Sequence, residues 1–238
     1  MQTTREWLRD ESVQVGADFA SPAEVQDYID RLPMDVDAAN ATLDRLGVGP
    51  GQVLIDIGAG PGSFALEAAR RCKTVHVVDM SAAMLDVAKQ RAEQAGLSNV
   101  QFHRAGFLTY RHDGAPADIV TTHKALHHLP DAWKAVAFAR MAEMLHTGGI
   151  LHLVDVIYTG ESADYEAVLD GVVSRVGQSM GEDIGRRVIR HIRDEFSTWD
   201  WIIEGMITRA GFRIDAADYS RVLAELFCTK VTSAGTLS

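Results

Sequence analysis

The sequence predicts an α/β fold, a doubly wound sheet of seven strands with the last one antiparallel, carrying a helical cap, and three observations predict it. Short β-branched runs alternate with stretches of helical period through most of the chain, the pattern of a mostly parallel sheet covered by helices on both faces. An apolar run at 53–57 enters a glycine turn that opens a helix. Near the C-terminus two extended runs lie so close together that an antiparallel hairpin at the sheet edge is favoured.

From the N-terminus, residues 22–32 and 35–46 read as amphipathic helices, and Gly47, Val48, Gly49, Pro50 and Gly51 form a turn-rich link into the first strand. Strands are expected at 53–57, 74–79, 100–103, 117–121 and 149–156, with helices at 63–71, 82–95 and 131–145 between them. Ser81 is placed to cap the second of these helices and Gly96 to close it. The stretch 162–210 carries helical patterning, interrupted near Gly177, Gly181 and Ser197, and after Gly211 the runs 212–216 and 221–231 supply the hairpin. The organisation is an N-terminal helical cap at 1–35 and one main domain at 36–238 with a helical insertion at 162–210.

The 238 residues are 47% apolar, enough for a sizeable core. Lys and Arg number 23 against 33 Asp and Glu, and the net charge of −10 repels polyphosphate and anionic lipid, so neither a nucleic acid nor a membrane is expected as partner. Cys72 and Cys228 are too few for a disulfide framework and suit a reducing compartment. Residues 1–10 lack the apolar core of a signal peptide and no stretch of 18 apolar residues occurs, so a cytoplasmic protein is expected.

The most informative stretch runs from Asp56 through Gly58, Ala59 and Gly60 to Gly62. Glycines there let the backbone approach a ligand where a Cβ would collide, and the helix that follows adds unpaired N–H groups. Such a turn at the carboxyl end of the first strand marks a nucleotide crevice in doubly wound sheets. A dinucleotide fingerprint needs glycine at position 63, where Ser63 stands. The second strand ends in Asp79, 21 residues after Gly58, where a carboxylate accepts hydrogen bonds from both ribose hydroxyls and repels a 2′-phosphate. An unphosphorylated adenosine-type nucleoside is the ligand expected. The plainer alternatives are a ligand-free connection for the turn and a helix cap beside Ser81 for Asp79.

On the 56–62 motif, the Asp79 acid and the run 117–131, which contains Leu126, His127, His128, Leu129 and Pro130, the sequence resembles the class I S-adenosylmethionine-dependent methyltransferases of small-molecule type. The resemblance covers residues 36–157 and 211–231. It implies a Rossmann-like fold, S-adenosyl-L-methionine as cofactor and methyl transfer to an N, O or C atom of a small molecule. It places Gly58, Ala59, Gly60 and Gly62 under the methionine part of the cofactor, Asp79 on the ribose, and Met80 and Met84 against the adenine. Gly106 stands where the family often has an adenine-reading carboxylate, which leaves that reading to backbone groups around Gly106 and Phe107. His123 matches a position whose backbone carbonyl faces the cofactor, and His128 falls in a hinge near the sulfonium.

His123 and His127 are four apart with His128 adjacent, a spacing that suits metal ligands on one helical face. The resemblance implies a packed hinge instead, and no metal is expected. An imidazole there also suits a general base, so His127 and His128 are the candidate catalytic residues. Asp155 and Tyr158, at the end of the fifth strand, and Tyr28 and Arg31, one turn apart in the first helix, are candidate substrate-binding residues. A strand-end cap, a surface aromatic and a solvated helix face are the respective alternatives. Trp199 and Trp201 read as core or as an aromatic substrate wall, and the arginines from Arg186 to Arg193 as a solvated face. Two other activities keep the cofactor: a cyclase or lyase that releases methylthioadenosine, and a non-catalytic cofactor-binding subunit. RNA methylation is weaker given the charge, and a homodimer is compatible with every reading.

Overall fold

The computed structural model describes residues 6–13, 15–16, 19–31, 33–220 and 223–231. Leu32 and Arg221, the ends of two expected elements, lie outside the described residues. In chain order the first half contains α1 (Pro22–Arg31), α2 (Val36–Arg45), β1 (Val53–Ile57), α3 (Ser63–Ala69), β2 (Thr74–Asp79), α4 (Ala82–Gln94), β3 (Val100–Arg104) and β4 (Ala117–His123). The second half contains α5 (Asp131–Met144), β5 (Leu145–Asp155), β6 (Ile157–Tyr158), α6 (Tyr165–Met180), α7 (Glu182–Asp194), β7 (Thr198–Trp199), α8 (Asp200–Arg209), β8 (Phe212–Asp218) and β9 (Ala224–Lys230).

The seven-stranded sheet has the order β3-β2-β1-β4-β5-β9-β8. The first five strands pair in parallel, and β9 runs antiparallel to both β5 and β8, so the last strand is the reversed one, as expected. Successive residues of β1 serve opposite faces: Leu54 joins Val75 and Val77 under α3, while Ile55 and Ile57 join the core beneath α5 and α8. The direction of sheet growth changes between β1 and β4, and the carboxyl ends of those two strands therefore open the crevice of the fold. Ser81 caps α4 by accepting from the Met84 N–H at 3.1 Å, and Asp35 caps α2 in the same way.

Three features depart from the pattern expected of the sequence. Strand β5 begins at Leu145 rather than at Gly149, because Ala117 pairs with Leu145 before the register slips to Ile119 with Ile150. A Cβ on Gly149 would stand 3.0 Å from the His146 carbonyl and 3.2 Å from the Asp118 carbonyl, so a side chain there would press the neighbouring backbone apart. Gly177 does not interrupt its helix; it lies in α6 where α7 crosses closely, a Cβ on Gly185 meeting the Gly177 Cα at 3.3 Å. The insertion is also closed by a parallel pair, β6 with β7, too short for any periodicity to announce. After it, α8 buries Ile203 and Ile207 in the main core, so the cap proper is α6 with α7.

Lys230 of β9 is buried, and its Nζ donates to the carbonyls of Ala142 at 2.5 Å and Leu145 at 2.6 Å. This charge satisfies the carboxyl end of α5, whose own last turn has no basic residue. Cys72 and Cys228 are buried, unpaired thiols. No helix among the described residues is long and apolar enough to cross a membrane.

Candidate active site

A cavity of about 730 Å³ opens at the carboxyl ends of β1 and β4 and is roofed by α1, α2 and α7. Its floor is the glycine turn. Gly58 has φ +72°, and a Cβ on it would drive into the Ala125 Cβ, so both conformation and space demand glycine. The N–H groups of Gly58 and Ala59 donate to the Val78 carbonyl at 2.8 and 3.1 Å, which ties the turn to the end of β2. There Asp79 accepts from the Gly60 N–H at 2.7 Å and the Ser81 N–H at 2.8 Å. Burial raises its pKa, yet three backbone N–H groups favour the ionised form, and the residue borders the cavity.

Asp56 lies under the turn and accepts from the Thr121 hydroxyl at 2.7 Å. Burial, assisted by the nearby Asp79, pushes its pKa up to about 7. Ala59, Gly60, Met80, Met84, Phe107 and His123 all border the cavity. Gly62 does not: it precedes α3 with φ +73°, and a Cβ would stand 3.0 Å from that of Ala88, so its part is close helix packing.

Gly106 borders the cavity but does not face it bare. The carboxylate of Glu11 lies over it and accepts from the Leu108 N–H at 2.9 Å and the Thr109 hydroxyl at 3.0 Å. An acid is therefore present beside position 106, delivered by the N-terminal segment, and burial raises its pKa. Nothing local in the sequence links residue 11 to this place.

At the opposite end His127 and His128 leave β4 on a short 3-10 turn, Leu126–His128. The Nδ1 of His127 lies 2.5 Å from Asp155 Oδ1 and its Nε2 3.1 Å from Glu195 Oε2. Burial opposes charge on this ring, but Asp155 and Glu195 outweigh it and hold the pKa up at about 9. Burial, reinforced by charged His127, pushes His128 down to about 4. With both nitrogens of His127 engaged by carboxylates, His128 is the neutral imidazole of the pair. Glu195 also meets His191 Nδ1 at 2.9 Å, and these two imidazoles hold its carboxyl well below the usual range against burial.

The remaining candidates divide. Asp155 is buried behind His127 and off the cavity wall, while Tyr158 borders the cavity and packs edge-on against Trp199 at 5.7 Å. Tyr28 and Arg31 both reach the cavity, Tyr28 beneath the Lys124 ammonium at 5.6 Å and Arg31 paired with Asp27 at 2.7 Å. The ring of His123 turns to Phe64 and to His152, whose Nδ1 is 2.9 Å away. Neither Trp199 nor the exposed Trp201 lines the cavity, whereas Arg187 and Arg190 border it. Sequence reasoning missed Glu11, Lys124, His191 and Glu195. Lys124 holds φ +55°, uncommon for a side chain, and the four-residue spacing of His191 and Glu195 on α7 was the one readable signal.

A family model described as a methyltransferase domain matches residues 54–149. Over 183 residues the chain is 26% identical to an uncharacterized methyltransferase of Geobacillus thermodenitrificans, covering 77% of this chain and 79% of the relative. Over 117 residues it is 35% identical to the tRNA 5-carboxymethoxyuridine methyltransferase of Escherichia coli K12, covering 47% of this chain and 44% of the relative. In fold it is similar to geranyl diphosphate methyltransferase in complex with SAM, with TM-score 0.64 and 15% identity over 93% of this chain and 94% of that one. The matched methyltransferase domain takes in the glycine turn, Asp79 and the His127–His128 hinge, and over this part the chain is similar to the class I S-adenosylmethionine-dependent methyltransferases.

Proposed function

We propose that the chain transfers the methyl group of S-adenosyl-L-methionine to an N, O or C nucleophile of a small molecule. The observation that carries the substrate class is the cavity itself: one space of about 730 Å³ joins the Asp79 floor to a histidine-and-carboxylate end roofed by α7. That volume suits a nucleoside cofactor with a modest acceptor. The net charge of −10 speaks against a polyanionic substrate.

The residues fit the cofactor. Gly58 and Gly60 leave a cradle where side chains would stand, Asp79 offers its lone pairs to the ribose hydroxyls, and Met80, Met84 and Phe107 flank the adenine. Glu11 accepts the adenine amino group in place of the acid lacking at Gly106. Tyr28, Arg31 and Lys124 close over the polar end of the ligands, and Tyr158 with His127 and His128 faces the acceptor. When bound, the cofactor supplies a methyl group on a sulfonium that is already electrophilic. The protein's main task is therefore alignment of the acceptor atom with that methyl, and exclusion of water by the cap helices.

The test is a mass-spectrometric reading of the purified chain incubated with S-adenosylmethionine, alone and with pooled metabolites. S-adenosylhomocysteine formed only with the pool, together with a methylated small molecule, is the expected result. Methylthioadenosine released from the cofactor alone would overturn it in favour of a cyclase or lyase.

A further inference from the structure

At the His127 end of the cavity three imidazoles surround one carboxylate oxygen. Oε2 of Glu195 lies 3.1 Å from His127 Nε2, 2.9 Å from His191 Nδ1 and 3.9 Å from His128 Nδ1. The ligand atoms of His127, His128 and Glu195 all fall within 4.8 Å of one another. Nitrogen and oxygen ligands held at about 2.0–2.2 Å from one ion stand roughly 3.0–3.6 Å apart, so the cluster is close to the size of a coordination shell.

One observation points to a missing partner at its centre, and the orientation of the rings agrees with it. The Nδ1 of His128 is buried and finds no hydrogen-bond partner among the described residues, a lone pair that is costly to leave unused. The rings are also oriented from behind, as ligating imidazoles are. Asp155 holds His127 by Nδ1 and leaves Nε2 aimed at Glu195, and Ser197 Oγ, 2.7 Å from His191 Nε2, leaves His191 Nδ1 aimed the same way.

We propose that His127, His128, His191 and Glu195 bind one divalent transition-metal ion, with Asp155 and Ser197 as positioning residues. Imidazole nitrogens with a single carboxylate suit zinc, iron(II), cobalt or nickel, whereas magnesium and calcium favour shells of oxygen. Residue spacing pairs His127 with His123, and that pairing does not form. The further ligands come from the cap, His191 on α7 and Glu195 just after it. An ion at this point pins the cap to the core from which His127 and His128 project.

The ion's role rests on the methyltransferase reading. Exposed to the cavity, it takes the acceptor's oxygen or nitrogen as a further ligand and lowers the pKa of that group. The acceptor's proton passes to water, its lone pair forms the bond to the methyl carbon, and the electron pair of the broken S–CH3 bond stays on sulfur. The substrate class that follows is a small molecule with a hydroxyl or amine beside a second donor atom, able to chelate.

The experiment uses the full chain, freed of metal by a chelator and dialysed against zinc, with metal content read by plasma mass spectrometry. One zinc per chain is expected, and cobalt(II) in its place gives the intense visible bands of a four- or five-coordinate ion. Glu195→Gln is expected to weaken zinc binding by about 100-fold and Asp155→Asn by about 10-fold. Asp79→Asn, at the far end, holds zinc as the parent does. Binding of S-adenosylmethionine to the metal-free chain is measured in parallel. A chain that binds S-adenosylmethionine but takes up no zinc overturns the metal site and leaves the functional reading standing, whereas a chain that takes up zinc but binds no cofactor supports the site and counts against that reading. A hexa-aqua cobalt spectrum, or Glu195→Gln binding zinc as tightly as the parent, also overturns the site. Should circular dichroism show Glu195→Gln unfolded, the parent's cobalt spectrum and a His191→Gln variant decide.

Discussion

At the Asp79 end of the cavity the polar groups sit mainly on two neighbouring strand ends, β1 with its glycine turn and β2, tied together by the hydrogen bonds of Gly58, Ala59 and Gly60, with Glu11 alone brought in from the N-terminal segment. At the His127 end they come from four places in the chain: the turn after β4, the end of β5, α7, and the segment after it. The first end is backbone-built and rigid, so it suits a cofactor that never varies. The second is side-chain-built and shared with the cap, so its shape follows the insertion between β6 and β7, the part of the chain free to differ with the acceptor.

That contrast is broken most forcefully at Asp79. Asp79→Ala removes a carboxylate that would accept two charge-assisted hydrogen bonds, and a loss of about 100- to 1000-fold in S-adenosylmethionine affinity is expected by calorimetry. A loss under about threefold would show that the floor does not hold the ribose. Glu195→Gln should do the reverse: turnover falls by about 100-fold while cofactor affinity stays within about twofold, because the ion pairs of its carboxylate among the described residues are with His127, His128 and His191, away from Asp79. Equal damage to both quantities would mean that the two ends are one unit.

Glu11→Gln separates the adenine contact from the ribose contact. It should raise KM for the cofactor by roughly tenfold with kcat little changed, since one hydrogen bond to the adenine amino group is weakened in ground and transition states alike. The smallest effect lies away from both ends. His76 on β2 is buried against His103 and His112, and burial, with the charge of those two rings, pushes its pKa down to about 4. The folded state therefore favours the neutral ring, and the stability it contributes is whole above the unfolded pKa near 6.5 and is lost as pH falls toward 4. His76→Gln should flatten the fall in unfolding free energy between pH 6.5 and 4.5 by on the order of 1–2 kcal/mol, read by denaturant titration at each pH; an unchanged acid limb would place the acid sensitivity elsewhere.

How far the molecule could be read from its sequence follows the same division. Strands β1, β2, β4 and the glycine turn are legible because burial on both faces leaves short runs rich in apolar and β-branched residues, and because Asp56 to Gly62 and Asp79 bring the chemistry with them in a short span. The early start of β5 was not legible, since the bulge that allows it depends on Gly149 passing the Asp118 carbonyl across the sheet. Gly62 looked like part of the cradle because spacing cannot distinguish a glycine that faces a ligand from one that faces Ala88. Glu11, His191 and Glu195 lie 95, 64 and 67 residues from Gly106, His127 and His128, respectively, and only the tertiary fold brings them there. His127 itself was read by its neighbour in sequence, His123, whereas its partners in space are two carboxylates.

The most direct test is a crystal structure of the chain with S-adenosylhomocysteine. The ribose hydroxyls on Asp79, the adenine amino group directed at Glu11 and the sulfur facing the His127–His128 end are the predicted arrangement. A nucleoside bound with its sulfur turned away from those histidines, or seated outside the Gly58–Asp79 floor, would contradict it.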